Sequence, residues 1–162
     1  YTLVTSGMGA HRMNVPKELA EYKLERAEIV VYLPADWNIS DHEEKNYWPL
    51  RWLKILARLP LEEDSWLGWG HSVPNGKPFA ENTQLSSVLL INPENVEEGA
   101  AVCQLPNGEE VNFYQMIPLY EEEVNFKIQN GAETLLGKMG EISAVVDIHR
   151  LNVCEGFGRP KE

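Results

Sequence analysis

The chain of 162 residues is poor in cysteine and has no long hydrophobic run. Its two cysteines, Cys103 and Cys154, are far apart and form neither a CxxC motif nor a cysteine–histidine metal spacing. This usage predicts a reduced, cytoplasmic protein, with a single disulfide between the two as the alternative. No apolar stretch approaches the ~20 residues that cross a membrane, and no signal-peptide pattern is present. We therefore expect no association with a membrane.

Basic residues are also scarce. The chain has 14 Lys and Arg against 25 Asp and Glu, which gives a formal net charge of -11. Proteins that bind a phosphate backbone use clustered Lys and Arg, so direct binding of nucleic acid is not expected. An acidic surface favours a basic partner, although the same charge would also serve solubility alone.

Motifs for metal binding and catalysis are missing. The sequence has no GxSxG elbow, no phosphate loop and no HExxH or HxH spacing among its histidines, which are His11, His42, His71 and His149. The loop from Asp36 carries oxygen side chains at the first, third and fifth positions of an EF-hand pattern. Its sixth and twelfth positions, however, are Asp41 and Tyr47, where glycine and glutamate are required. We therefore expect no metal, no cofactor and no catalytic site.

One acid–base pair remains as an alternative. Asp147 and His149 are two residues apart on a predicted strand, so their side chains would project from the same face. A structural ion pair or a solvated strand end explains the same spacing. An enzyme that uses this pair is the hypothesis against which protein binding is weighed.

The most regular pattern in the chain is the stretch 48–60. Pro49 suits a first helical position, and Leu50, Leu53 and Leu56 recur at helical spacing. The pattern predicts a buried amphipathic helix. We expect Pro60 to close it, because a late proline removes a backbone donor and clashes with the preceding turn.

Apolar patterns and turn residues predict the other elements. Residues 28–33 are almost continuously apolar, which is typical of a central strand covered on both faces. Asn107-Gly108 predicts a hairpin turn, and the glutamates from Glu121 favour the positive end of a helix. The predicted strands are residues 1–6, 28–33, 87–91, 102–105, 111–117 and 144–148, and the later helices are 120–130 and 132–139.

The longest irregular stretch, residues 62–78, carries Trp66, Trp69 and His71. Long loops on a rigid scaffold often hold functional residues, so these three residues form the predicted protein-binding surface. Because tryptophan is highly buried on average, we also expect at least one of the two to fold back on the core.

Several short segments occur in a specific order along nearly the whole chain. They are Thr5 to Gly9, Ala27 to Pro34, Trp48 to Arg58, Gly70 to Ser72, Leu89 to Pro93, Phe113 to Leu119 with Glu121 to Glu123, and Val146 to Arg150. Each segment is a weak signal alone, but their joint order resembles Suppressor of Fused domains. The similarity is to the short bacterial version of that family.

The resemblance implies a single α+β domain over residues 1–155, with a mixed, mostly antiparallel sheet and helices packed on it. Glycine and proline in residues 156–162 predict a flexible tail after it. The resemblance also implies a non-enzymatic protein-binding module. Animal members of the family clamp an extended peptide of a transcription factor, partly by strand addition. The bacterial members look like immunity proteins of polymorphic toxin systems. The expected partner is therefore a basic toxin domain or an extended peptide.

One residue departs from the animal pattern. Gly70 precedes His71 here, where animal members have an acidic residue.

Overall fold

The computed structural model describes residues 1–140 and 144–158 as an α+β fold. The strands of this part are β1 Thr2–Val4, β2 Ala27–Tyr32, β3 Ser72–Pro74, β4 Ser87–Ile91, β5 Val102–Gln104 and β6 Glu110–Leu119. The α-helices are α1 Glu44–Glu62, α2 Glu121–Asn130 and α3 Ala132–Met139. Short 3-10 helices at Met8–Ala10 and Lys17–Tyr22 lie between β1 and β2. None of the helices described is long and apolar enough to span a bilayer.

The strands form one sheet in the order β1-β2-β6-β4-β3, and β5 pairs with the beginning of β6. β2 and β6 run parallel, from Ala27 opposite Asn112 to Val30 opposite Gln115, whereas the other pairs of these strands are antiparallel. A parallel pair needs a long connection, which the chain from α1 to β5 supplies. The predicted mixed, mostly antiparallel sheet is confirmed.

Both faces of the sheet are covered. In β4, Val88 and Leu90 join a core cluster with α1, whereas Leu89 and Ile91 join a second cluster with α2 and α3. Every residue of β4 is buried, which explains why its sequence is apolar without alternation. β2 is buried from Ala27 to Val31, so its predicted central position is also confirmed.

Aromatic side chains fix α1 to the face of the sheet that carries Val88 and Leu90. Trp48 is fully buried and stacks on Phe79, with ring centroids 4.6 Å apart and planes 4° from parallel. Trp52 meets the same ring edge-on at 5.2 Å. Such pairs contribute about 0.5–1.5 kcal/mol each beyond their buried area. Because Phe79 precedes β4, these contacts also hold the connection between β3 and β4 against α1.

The predicted start of α1 is wrong. The helix begins at Glu44 rather than at residue 48, so Pro49 lies inside it. Proline has no amide hydrogen, and the Lys45 carbonyl therefore lacks its usual helical donor. Asn82 Nδ2 approaches that carbonyl at 3.5 Å. A contact from outside the helix thus partly replaces the hydrogen bond that Pro49 removes.

The predicted stop of α1 at Pro60 is also wrong, because the helix continues to Glu62. Pro60 is buried and lies within the last turn, where its missing amide removes one helical hydrogen bond, to the Leu56 carbonyl. The chain leaves through Asp64, which has a left-handed φ of 47°, and the Ser65 amide donates to the Pro60 carbonyl at 3.0 Å. This is the bond of a Schellman motif, with Asp64 in the position that glycine usually takes.

The predicted strand over residues 144–148 is wrong. Val145 makes an isolated parallel bridge to Tyr32, and the Val146 amide donates to the Tyr32 carbonyl at 2.9 Å. β1 occupies one side of β2, and β6 occupies the other side as far as Val30. The segment therefore reaches only the last residue of β2, where pairing with β6 has ended.

The sequence does not predict β3, because its residues fall in the irregular stretch 62–78. The strand pairs antiparallel with β4 and ends in Pro74. Three residues are too few to show alternation, and proline is tolerated because β3 is an edge strand of the sheet. The other predicted strands, the hairpin and the two later helices are confirmed, with β1 shorter than predicted.

Both cysteine thiols are free, so the alternative of a disulfide is wrong. Cys103 is exposed on β5, whereas Cys154 is buried in the cluster with α2 and α3, and burial raises the pKa of the Cys154 thiol. Of the predicted tail, residues 159–162 lie outside the described part of the chain. Phe157 contacts Phe126 with 5.1 Å between ring centroids. Flexibility of the tail stays a prediction.

Glu28 is a buried carboxylate that backbone amides and a hydroxyl hold. It accepts from Thr5 Oγ1 at 2.5 Å and from the amides of Gly7 and Gly9 at 2.9 Å each. Gly7 has a φ of 107°, and a Cβ on Gly9 would lie 2.9 Å from Val111. Both glycines are therefore required by the turn that satisfies Glu28.

A second buried carboxylate, Glu123, is paired with an arginine. Glu123 is fully buried, the Arg150 side chain is 8% exposed, and the guanidinium donates to the two carboxylate oxygens at 2.6 and 2.5 Å. Arg150 also donates to the Pro118 carbonyl at 2.9 Å. Glu123 accepts further from the amides of Tyr120 and Val153 at 3.0 and 3.1 Å. The pair joins the C-terminal segment to α2 and β6.

Replacing Arg150 with Met should lower the free energy of unfolding by about 3–5 kcal/mol, because Glu123 would stay buried without its partner charge. The double variant Glu123→Gln, Arg150→Met should recover part of this loss, since no buried charge remains. Urea denaturation followed by circular dichroism measures both. Arg58→Met, at an exposed position of α1, is the control and should change stability by less than about 0.5 kcal/mol. Equal losses in the Arg58 and Arg150 variants would contradict this role.

Candidate functional site

The predicted binding residues Trp66, Trp69 and His71 lie on the connection from α1 to β3. Backbone hydrogen bonds attach this connection to β4. The Gly70 amide donates to the Leu90 carbonyl at 2.7 Å, and the Leu90 amide donates to the His71 carbonyl at 2.9 Å. Gly70 has a φ of 79°, a conformation that side chains rarely adopt. The segment is therefore fixed to the sheet.

Trp66 packs against the core. It is half-buried beside the cluster that contains α1, and its ring covers Gly68, where a Cβ would lie 2.7 Å from the indole Cζ3. The His71 ring meets the Trp66 ring edge-on, with centroids 4.3 Å apart. The expectation that at least one tryptophan folds back on the core is confirmed, and Trp66 is that residue.

His71 is half-buried next to a cation. Burial lowers the pKa of His71 below its usual value of 6.5, and the positive charge of Lys127 lowers it further. A hydrogen bond with the Trp66 backbone opposes these effects but does not outweigh them. Lys127 itself donates to Ser72 Oγ at 3.2 Å, and burial lowers the pKa of the Lys127 ammonium. The imidazole is therefore neutral at pH 7.

Trp69 is the residue of the three that faces solvent, with 39% of its surface exposed. A large aromatic side chain on a fixed backbone loses little conformational entropy on binding, which is why tryptophan is enriched among binding hot spots. The structure thus brings Trp66 and His71 into contact and leaves Trp69 accessible. A binding role for the three residues stays a prediction.

Lys127 and Ser72 belong to the same surface, and sequence reasoning missed both. They are 55 residues apart and come from α2 and β3. No spacing rule connects them, because the contact exists only once α2 lies beside the edge of the sheet.

Asp147 and His149 do not lie on a strand, so the geometry assumed for an acid–base pair is wrong. The His149 backbone amide donates to Asp147 Oδ1 at 2.9 Å, and both residues are exposed. They line an open cavity of about 540 Å³ together with Trp37 and Asn82. The amide-to-carboxylate bond explains their spacing as a local turn.

A sequence model of the SUFU family, described as Suppressor of fused protein, matches residues 1–151. The chain belongs to the Suppressor of Fused family. A curated relative, the uncharacterized protein UU111 of Ureaplasma parvum serovar 3, is 28% identical over 149 residues. The match covers 91% of this chain and 71% of that protein.

Solved SUFU structures share the fold. A SUFU homologue from Neisseria gonorrhoeae FA 1090 superposes with a TM-score of 0.64 at 19% identity, over 94% of this chain and 69% of that one. Drosophila Suppressor of Fused gives 0.67 at 15% identity, over 96% of this chain and 39% of that one. The crystal structure of a Sufu–Fu complex gives 0.62 at 16% identity, over 80% of this chain. The match spans 58% of the Sufu–Fu chain, so both of these solved chains extend well beyond this SUFU domain.

Protonation of His71 should destabilise the domain. The pKa of His71 is lower in the folded state than the usual 6.5, so the unfolded state binds more protons between the two values, and stability rises with pH there. Its stabilising contribution is complete above about pH 6.5 and is lost as the pH falls. Urea denaturation at a series of pH values down to about 5.5 should show a shallower pH dependence for His71→Gln than for the wild type. Identical slopes would contradict the assignment.

Proposed function

We propose that this chain is a non-enzymatic protein-binding domain that acts as a cytoplasmic immunity protein and neutralises a cognate polymorphic toxin by direct binding. The observation that carries the proposal is Trp69, which is held exposed on a backbone fixed to β4 in a domain of the SUFU family. A member of this family has been solved as a Sufu–Fu complex, which supports protein binding as the role.

The charge of the chain supports a basic partner. With a net charge of -11, the domain repels nucleic acid but attracts proteins that bind it. A nuclease toxin presents a basic surface for its own substrate. Complementary charge accelerates encounter and orients the partners, and an inhibitor that must act before the toxin reaches its target benefits from both effects.

A regulatory scaffold for an extended peptide is the second candidate, and β3 is the feature that favours it. An edge strand next to Trp69 and His71 offers backbone groups for strand addition. The edge is short, however, and Pro74 has no amide to donate. Gly70 also stands where animal members have an acidic residue, and its φ of 79° disfavours a side chain there. The toxin partner is therefore the first choice.

Co-expression with the toxin encoded beside this chain tests the proposal. We expect cells to survive and the two proteins to purify as a complex, because the complex itself is the neutralised form. Survival without a complex would indicate a different mode of protection. Absence of both survival and co-purification would exclude the toxin and leave the peptide scaffold, for which extended peptides are the ligands to screen.

Replacing Trp69 with Ala should weaken binding of this toxin by about 2 kcal/mol, or roughly 30-fold, without lowering the melting temperature. Tyr22→Ala is the matched control, because Tyr22 is an aromatic residue with 59% exposure on a 3-10 helix remote in sequence from the site. Isothermal titration calorimetry measures the affinities and differential scanning calorimetry the stability. If the Trp69 variant melts early, the residue is structural. If it binds like the Tyr22 variant, the site lies elsewhere.

A further inference from the structure

A groove lies at the far end of β3 from the predicted binding residues, because Pro74, the last residue of this strand, lines it, whereas His71 precedes the first residue of the strand. The groove is bounded by the first turns of α2, by the turn that follows β3 and by the C-terminal segment, and its volume is about 790 Å³. The residues that line it include Pro78, Ser86, Val124, Ile128, Leu151 and Glu155. We call it the α2 groove.

Two exposed aliphatic side chains line the α2 groove. Leu151 is 85% exposed and Ile128 is 69% exposed, and these are the highest values among the large apolar residues of the described chain. A single exposed leucine is ordinary, but two such residues in one concave surface are typical of an interaction site. Neither residue contributes to the core, so the fold does not require a large apolar side chain at either position.

The fold holds both residues in place. Ile128 follows Val124 by one helical turn, and Val124 is buried against the sheet, so the groove-facing side of α2 is fixed. Leu151 follows Arg150, whose guanidinium is buried on Glu123 and also donates to the Leu151 carbonyl at 3.0 Å. The arginine therefore enters the interior while the next side chain remains in solvent. A preorganised apolar surface loses little entropy on binding.

The charges around the α2 groove are mostly negative. Its lining includes the carboxylates of Glu121, Glu122 and Glu155 and the ammonium of Lys77. Arg150 also lines it, but that guanidinium is already paired with buried Glu123. A partner segment that complements this groove carries aliphatic side chains between basic ones.

We infer that the α2 groove binds a basic segment of a partner protein whose aliphatic side chains contact Ile128 and Leu151. β3 connects the groove with the surface of Trp69 and His71, because Pro74 lines the groove and Ser72 directly follows His71. The biological role of this second contact rests on the protein-binding function proposed above. The groove would add a second contact surface to that function, and it specifies a partner segment with basic and aliphatic side chains.

A defined peptide tests the groove without any toxin. The probe is a short peptide of Lys and Leu with the leucines at helical spacing, and its counterpart has Glu in place of every Lys. We expect the basic peptide to bind the full chain with a Kd of about 10–100 µM, and amide shifts in ¹⁵N-labelled protein to centre on Ile128, Leu151 and their neighbours. The acidic peptide should not bind. No binding of the basic peptide, equal binding of both, or shifts centred elsewhere would each overturn the inference.

Matched variants separate the groove from general attraction to an acidic protein. Leu151→Ser with Glu155→Lys should weaken binding of the basic peptide by about tenfold or more. Leu61→Ser with Glu62→Lys makes the same chemical changes at the end of α1, where Leu61 is 58% exposed, and should retain most of the affinity. Equal losses in the two double variants would overturn the inference. That result would not affect the rescue of toxin-expressing cells by the wild type, so the groove proposal can fail while the immunity proposal remains.

Discussion

The buried contact between Glu123 and Arg150 is the constraint on which the C-terminal part of the domain depends. A carboxylate that is fully buried needs a partner charge and further donors, and here Arg150 and the amides of Tyr120 and Val153 supply them. The first turn of α2 and the C-terminal segment are consequently one unit. Because Val153 and the following Cys154 pack with α2 and α3, the second core cluster depends on the same contact.

Burial of the sheet on both faces limits where a partner can bind. The central strands are inaccessible, and the edge offered by β3 is short and interrupted by Pro74. Short edge strands with proline also protect a sheet against unwanted pairing. A partner is therefore more readily recognised by side chains than by strand addition at β3. Among the exposed apolar side chains, Trp69 lies on the fixed connection, and Ile128 and Leu151 line the α2 groove. β3 connects the two surfaces, because Pro74 lines the groove and Ser72 directly follows His71.

Charge and shape give these surfaces a common partner chemistry. The overall negative charge attracts basic proteins at long range, whereas Trp69 and the α2 groove offer apolar contacts at short range. The first effect governs encounter rates and weakens with salt, and the second governs how long a complex lasts. The proposed immunity role requires both properties, since an inhibitor of a toxin must meet it quickly and release it slowly.

Local patterns in the sequence determined much of the fold. A continuous apolar run predicts β2, Asn107-Gly108 predicts the hairpin, and acidic residues predict the start of α2, because these preferences act within a few residues. The loop with Trp66 and Trp69 was also found, but which tryptophan is buried was not. Only the tertiary structure decided that question, the true ends of α1, the pairing of β3 and the contact of Glu123 with a residue 27 positions away. Each of these depends on groups that are distant in sequence, and a local pattern does not indicate which distant group will be in contact in the fold.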